Sequence, residues 1–226
     1  MQGLQFIQED AALETATALL AFSMAATLLT ITPGLDTALV LRTAAVEGAR
    51  PALSAGAGIA AGSLAWGCLT GLGLSALLAI SETGYLILKI GGAAYLFYLG
   101  IGMLRIALFN RHGMPLADEA APVNRSSLGW FLRGLMTNLL NPKVGVFYVS
   151  LLPQFIPAGA NVAFFSVAMA AIHAIIGIGW FGVLILATRP LSRFLRKPGV
   201  FRALDGVTGG ILIAFGVKLA LDRRVG

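Results

Sequence analysis

The chain has 226 residues, of which 58% are hydrophobic and 12% charged, about half the ~25% charged content of a typical globular chain. With a mean hydropathy of +0.86 it has too little polar surface to clothe a water-soluble particle, so lipid has to cover part of it. That excludes a disordered chain, a disulfide scaffold and a soluble nucleotide-binding enzyme. Cys68 is the single cysteine and has no partner for an internal bridge. The net charge of +6 does not point to nucleic acid, because the cations cluster between apolar segments, where membrane topology is written.

A membrane-spanning helix needs roughly 20 mostly apolar residues. No charged residue occurs between Glu14 and Asp36, between Arg50 and Glu82, or between Lys143 and Arg189. Pro153, Pro157, Gly159 and Asn161 split the last stretch into two helices. A further segment carries Lys89 and Arg105 towards its ends, where long side chains reach the interface. The predicted spans are Thr15–Leu41, Ala52–Ile80, Tyr85–Phe109, Ser127–Leu152, Val162–Ala187 and Phe201–Leu221; five remain if the interrupted first segment does not fully cross. Glu9, Asp10 and Glu14 ahead of the first apolar run are the reverse of the basic start of a removable signal peptide.

The odd-numbered loops are basic: Arg42 and Arg50; Arg111 and Arg125, flanked by Arg105 and Arg133; then Arg189, Arg193, Arg196, Lys197 and Arg202. The loops around Glu82 and Pro153–Asn161 carry no Lys or Arg. The positive-inside rule puts the basic loops in the cytoplasm and both termini outside, with Arg223 and Arg224 dissenting. The polar connection from Asn110 to Ser126 then joins two three-helix halves, residues 15–109 and 127–221, within a single integral membrane domain. Three spans per half predict that the halves are inverted relative to one another. The expected fold is an all-α polytopic membrane protein, two inverted three-helix repeats with the first helix of each interrupted.

The interruptions are Thr32-Pro33-Gly34 in the first span and Asn138-Leu-Leu-Asn141-Pro142-Lys143 in the fourth. A proline in a helix interior removes one backbone hydrogen bond at a cost of about 3 kcal/mol, and in lipid the freed groups need protein, ligand or trapped water. Two breaks in spans of opposite direction can face one another across a polar cavity. Asp36 reads as the one acid within a span away from its ends, in the first turn of a half-helix whose dipole favours a negative charge. It is a candidate to hold an ammonium, carry a proton or cap the half-helix. Lys143 is its expected counter-charge, and the pair suits a zwitterion. Thr32, Asn138 and Asn141 are candidate neutral partners, with Pro33, Gly34 and Pro142 shaping the unwound backbone. His173 and Trp180, two turns apart on one face, are candidates to line the pathway. No metal-ligand spacing, Walker motif or nucleophile elbow is present. The Gly58/Gly62 and Gly67/Gly71 pairs favour close packing of the second span on its neighbours over a homodimer contact.

Together with Val40-Leu41-Arg42, Glu47-Gly48-Ala49-Arg50, Gly56-Ala57-Gly58 and Gly62, the run Thr32-Pro33-Gly34-Leu35-Asp36-Thr37 resembles the LysE/RhtB family of bacterial amino-acid exporters. The resemblance continues through Lys89-Ile90-Gly91-Gly92, Tyr95-Leu96, Leu99-Gly100, Phe131-Leu132-Arg133-Gly134, Asn138 to Lys143 and Leu152-Pro153-Gln154-Phe155. Leu35 stands where the family's pattern has a second proline, while Asn141-Pro142-Lys143 is intact. The resemblance implies a multi-pass carrier of the bacterial inner membrane that exports amino acids or close derivatives, driven by protons, without a cofactor. Asp36, Lys143, Asn141, Asn138 and Thr32 would bind substrate or proton, and Gln154 joins His173 and Trp180 as a candidate lining residue. The alternatives are an inorganic-cation efflux carrier, a membrane-embedded enzyme and a non-transporting assembly subunit.

Overall fold

The computed structural model describes residues 2–80, 82–109, 126–187 and 197–221. The connection at 110–125 and the cations Arg111, Arg125, Arg189, Arg193, Arg196, Arg223 and Arg224 lie outside the described residues. Helices are α1 (Gln2–Ile31), α2 (Leu35–Val46), α3 (Ala49–Ile80), α4 (Glu82–Phe109), α5 (Ser127–Leu139), α6 (Pro142–Val146), α7 (Val162–Leu186) and α8 (Pro198–Leu221). Among the described residues there is no β-strand. Four stretches are long and apolar enough to cross a bilayer: Ala12–Ile31, Ala49–Gly73, Val162–Leu186 and Pro198–Lys218. Leu96–Phe109 is a shorter apolar stretch within α4. Large apolar side chains such as Leu20, Met24, Leu72, Phe164, Ile175 and Leu186 face outward, which in a protein of this hydropathy is a surface for lipid.

Both predicted interruptions are real breaks. α1 stops at Ile31, Gly34 is extended, and α2 starts at Leu35. α5 has 13 residues, about 20 Å of rise, too short to cross a ~30 Å hydrocarbon core by itself. The chain then turns at Leu140 and Asn141 and resumes as α6, a π-helical turn (Phe147–Leu151) and a 3₁₀ turn (Leu152–Phe155). The fourth predicted span, Ser127–Leu152, is therefore four short pieces rather than one kinked helix.

Three pairs of elements pack antiparallel. The stretch from α1 to α2 meets the stretch from α5 through the turns after α6 in reverse order: Phe22 packs tilted against Phe147 and edge-on to Phe155, Leu29 and Thr32 touch Lys143, and Asp36 touches Asn138. α3 and α7 cross with Gly56 against Phe181, Gly67 against Ala170 and Gly71 against Ala163. α4 and α8 pair Gly100 with Gly209 and Ala93 with Gly216. These seams depend on absent side chains. A Cβ on Gly58 would lie 1.9 Å from the Phe131 carbonyl oxygen, one on Gly134 2.0 Å from that of Ala55, and one on Gly62 2.6 Å from Asn138 Oδ1. The Gly58/Gly62 pair thus packs α3 on α5, and Gly67/Gly71 packs α3 on α7.

The apolar core divides into clusters on either side of the breaks. One joins Phe22, Phe147, Tyr148, Leu151, Phe155 and Met169; another joins Leu39, Val40, Leu41, Ile59, Trp130, Phe181 and Leu184. Gly58→Ala should destabilise the fold by about 1–3 kcal/mol through overpacking, whereas Gly73→Ala, which meets nothing within 4 Å, should not. Thermal unfolding in detergent compares the two, and equal midpoints would contradict the packing described.

Candidate functional site

Each break leaves a particular carbonyl without its helical donor. In an α-helix the carbonyl of residue i accepts from the N–H of residue i+4, and proline has none. Pro33 therefore orphans the Leu29 carbonyl, and Pro142 orphans that of Asn138. The Lys143 ammonium supplies the first, donating to Leu29 O at 3.2 Å and to Thr32 O at 2.9 Å. The Asn141 N–H donates to Asn138 O at 3.0 Å, and the Trp66 indole approaches the same oxygen at 3.5 Å. A cation at the carbonyl end of α1 is also favoured by the helix dipole. Lys143 Nζ would sit only 3.2 Å from a Cβ on Gly34, so the small residue at the break lets the ammonium in.

Asp36 occupies the first turn of α2, where the dipole favours its carboxylate. Its Oδ2 accepts from the Asn138 side-chain amide at 2.9 Å. Its Oδ1 is buried and has no hydrogen-bond partner, and the same is true of Asn138 Oδ1. Asn141 caps α6, its side-chain oxygen accepting from Lys143 N at 3.1 Å. Thr32 donates to Leu28 O, and its hydroxyl lies 2.5 Å from that of Thr208 on α8. On α7, His173 is bonded through both ring nitrogens: Nδ1 to the Tyr148 hydroxyl at 3.0 Å and Nε2 to the Thr30 hydroxyl at 3.2 Å. Thr30 donates onward to Ala26 O, so its hydroxyl oxygen is left to accept from His173 Nε2–H.

These groups surround one cavity of about 30 Å³, lined by Thr30, Thr32, Gly34, Asp36, Ser63, Asn138, Asn141, Lys143 and His173, with Ile59, Val144 and Phe181 among its apolar walls. That volume holds water and little else. Asp36, Lys143, Asn138, Asn141, Thr32, Gly34 and His173 are brought together. Gln154 is not: it lines a wider cavity of about 480 Å³ with Glu14 and Lys218. Trp180 packs beside Phe181 and Leu184 rather than around the central cavity.

Lys143 and Asp36 share the cavity and lie close enough to act on one another electrostatically, while the Lys143 ammonium donates its hydrogen bonds to backbone carbonyls. One sequence expectation needs correction: Asp36 is not the one acid within a span away from its ends, because Asp205, inside the helix Pro198–Leu221, is 3% exposed. Asp205 lies near the predicted start of its span, and the signal that marks it is Thr208 one turn later on the same face. Ser63, Tyr148 and Thr30 also went unread.

A family model for the LysE type translocator matches residues 27–223. The chain belongs to the LysE type translocator family. It is 30% identical over 200 residues to the threonine efflux protein of Escherichia coli, covering 85% of this chain and 92% of that one. It is 31% identical over 208 residues to the homoserine/homoserine lactone efflux protein of Salmonella typhimurium, covering 90% and 96%. Similarity to the Bacillus subtilis membrane protein YrhP is 30% over 207 residues, covering 90% and 99%. No solved structure matches the chain.

Replacing Lys143 by Met should strip the donors from the Leu29 and Thr32 carbonyls and destabilise the fold by about 2–3 kcal/mol. An unchanged unfolding midpoint in detergent would contradict this role.

Proposed function

We propose that the protein is a secondary active transporter that exports amino acids or close derivatives from the cytoplasm by proton antiport. The observation that carries this reading is the pair of buried, unpartnered acceptor oxygens, Asp36 Oδ1 and Asn138 Oδ1, beside the Lys143 ammonium in a cavity between two helix breaks. Acceptors next to a cation match a zwitterion, whose ammonium goes to Asp36 and Asn138 and whose carboxylate goes to Lys143. Relatives named for threonine and homoserine efflux support amino acids as the substrate class.

In this reading the chain spans the inner membrane of a bacterium six times, with 15–109 and 127–221 as inverted repeats, 110–126 as a cytoplasmic loop and the N-terminus outside. The antiparallel pairing of α1–α2 with α5–α6, α3 with α7 and α4 with α8 supports it. The Phe22–Phe147–Phe155 cluster then closes the cavity to the outside, and the cluster around Leu41, Trp130 and Phe181 closes it to the cytoplasm. Alternating access separates one cluster at a time, which also opens room for the substrate. Asn141 and Thr32 complete the site as neutral partners, and Asp36 carries the coupling proton.

Uptake of a labelled amino-acid panel into proteoliposomes under an imposed pH gradient tests this. One class of amino acid should move with the gradient. Asp36→Asn removes a charge-assisted contact of about 1.5–3 kcal/mol, roughly ten- to a hundredfold in substrate retention, and gradient-driven flux should fall accordingly. A folded protein that moves no amino acid would overturn the reading; an Asp36→Asn variant that transports like the wild type would reduce Asp36 to a helix cap.

A further inference from the structure

Three elements carry the same order of side chains away from the central cavity. Along α1, Thr32 and Thr30 line that cavity, Phe22 belongs to the aromatic cluster, and Ala21, Thr17 and Glu14 border the wider cavity of about 480 Å³. Along the stretch after the second break, Lys143 is followed by Phe147 and Leu151 of the cluster and then by Gln154 and Pro157 at the wider cavity. Along α8, Thr208 meets Thr32, Phe215 packs on Phe155 at 5.6 Å, and Lys218, one turn further, borders the wider cavity. Phe155 belongs to the cluster and to the wall of the wider cavity alike. The wider cavity is therefore the next space beyond the cluster, and the rise of α1 from Thr30 to Glu14 puts its far wall about 24 Å from the central one.

Two opposite charges border this space without meeting. Glu14 on α1 and Lys218 on α8 both line it, and among the described residues no ion pair joins them. Glu14, Thr17 and Ala21 recur at the spacing of one helix face. Gln154 adds an amide to the wall: its Nε2 donates to Ser150 O at 3.0 Å, which leaves Oε1 buried without a hydrogen-bond partner. Such an acceptor calls for a donor brought by a ligand or by water. Thr17 donates to Leu13 O at 2.8 Å, so its hydroxyl oxygen also keeps a lone pair to offer. The volume falls within the roughly 300–1,000 Å³ of small-molecule sites, whereas the central cavity of about 30 Å³ holds water and little else. With the cluster closed, the wider cavity has the room that the central one lacks.

We propose that this cavity is a second amino-acid site, the outer one, in which a zwitterion rests after passing the aromatic cluster, its ammonium towards Glu14 and Gln154 and its carboxylate towards Lys218. The inference rests on the amino-acid export reading and adds a release station to it. Phe155 and Ile156 offer the apolar wall for the substrate's side chain. A zwitterion adds no net charge to a site that holds one acid and one base, so neither end of the substrate is left without a counter-charge. Both protein charges are exposed, so water and salt screen them. The site holds its occupant loosely, as release to the outside requires, while the closed cluster prevents its return to the central cavity.

The test is protection of a cysteine in the outer cavity. With Cys68 replaced by Ser, Thr17→Cys is labelled by a small uncharged thiol reagent on the purified protein in detergent, with threonine and homoserine as probes. Both should slow labelling in a saturable way. Their amino-alcohol and hydroxy-acid analogues, which carry one charge each, should protect about three- to fivefold less well, and this comparison needs no further variant to fold. Adding Glu14→Gln or Lys218→Met should weaken protection by a similar factor, whereas adding Asp36→Asn, which alters only the central cavity, should leave it unchanged. In intact cells an impermeant reagent should reach the same cysteine from outside. Protection that disappears with Asp36→Asn, that survives both outer substitutions, or that the one-charge analogues match would overturn the outer site, as would labelling only from the cytoplasmic side. No protection by either probe or by the rest of an amino-acid panel would overturn it too. None of these results touches amino-acid export, which the proteoliposome flux decides separately.

Discussion

Two prolines inside an apolar helix assembly each deprive one carbonyl of its hydrogen-bond donor, and the architecture around the breaks follows from satisfying those carbonyls without bulk water. At Pro33 the missing N–H is replaced by an ammonium from the opposite half of the chain, so that Lys143 fastens α6 to the end of α1. At Pro142 the Asn141 N–H and the Trp66 indole answer the Asn138 carbonyl, freeing the Asn138 amide to reach Asp36. The breaks meet because the second supplies the donor that the first lost and an amide for the acid that follows it. A charged group is thereby held in the interior by backbone dipoles, and the acid it was expected to neutralise keeps one oxygen unpartnered.

Packing keeps this arrangement between two apolar clusters. Glycines on α3, α5, α4 and α8 bring backbones to distances at which even a methyl group would collide, and such seams are the main source of helix adhesion where lipid is as apolar as leucine. The π-helical turn after α6 contributes differently. It carries Tyr148 onto His173, and such turns, rare in general, are frequent at functional sites. The polar chain through Tyr148, His173 and Thr30 ends on the same last turn of α1 that Lys143 holds, so α6, its π-helical extension and α7 all bear on one helix end.

Much of this was legible in the sequence because hydrocarbon is an unforgiving solvent. Charge-free stretches located the apolar helices, and Pro33 and Pro142 located the breaks, since neither constraint leaves the chain an alternative. Asp36, Asn138, Asn141, Lys143, Thr32 and His173 were identified by their polarity in apolar surroundings and do converge on one cavity. What was not legible is pairwise geometry. Lys143 read as the partner of Asp36 because opposite charges attract, whereas the orphaned Leu29 carbonyl, invisible in a residue list, competes for it. Asp205 was passed over because hydropathy marks helix ends only loosely, and an acid five residues into the predicted span Phe201–Leu221 reads as a boundary group. Trp180 and Gln154 depend on helix rotation and on the local 3₁₀ turn, which residue type does not fix.

In the proposed transport cycle the substrate sits in the cavity between the breaks. Ser63 lines it from α3 and is buried, on neither break. With Cys68 replaced by Ser, Ser63→Cys can be labelled in membrane vesicles by a small water-soluble thiol reagent, in the presence and absence of the amino acid that the reconstituted protein moves. The account predicts that labelling proceeds as the clusters open and that the amino acid slows it in proportion to occupancy. Labelling indifferent to the transported amino acid, in a variant that still transports it, would place the substrate elsewhere and contradict the account.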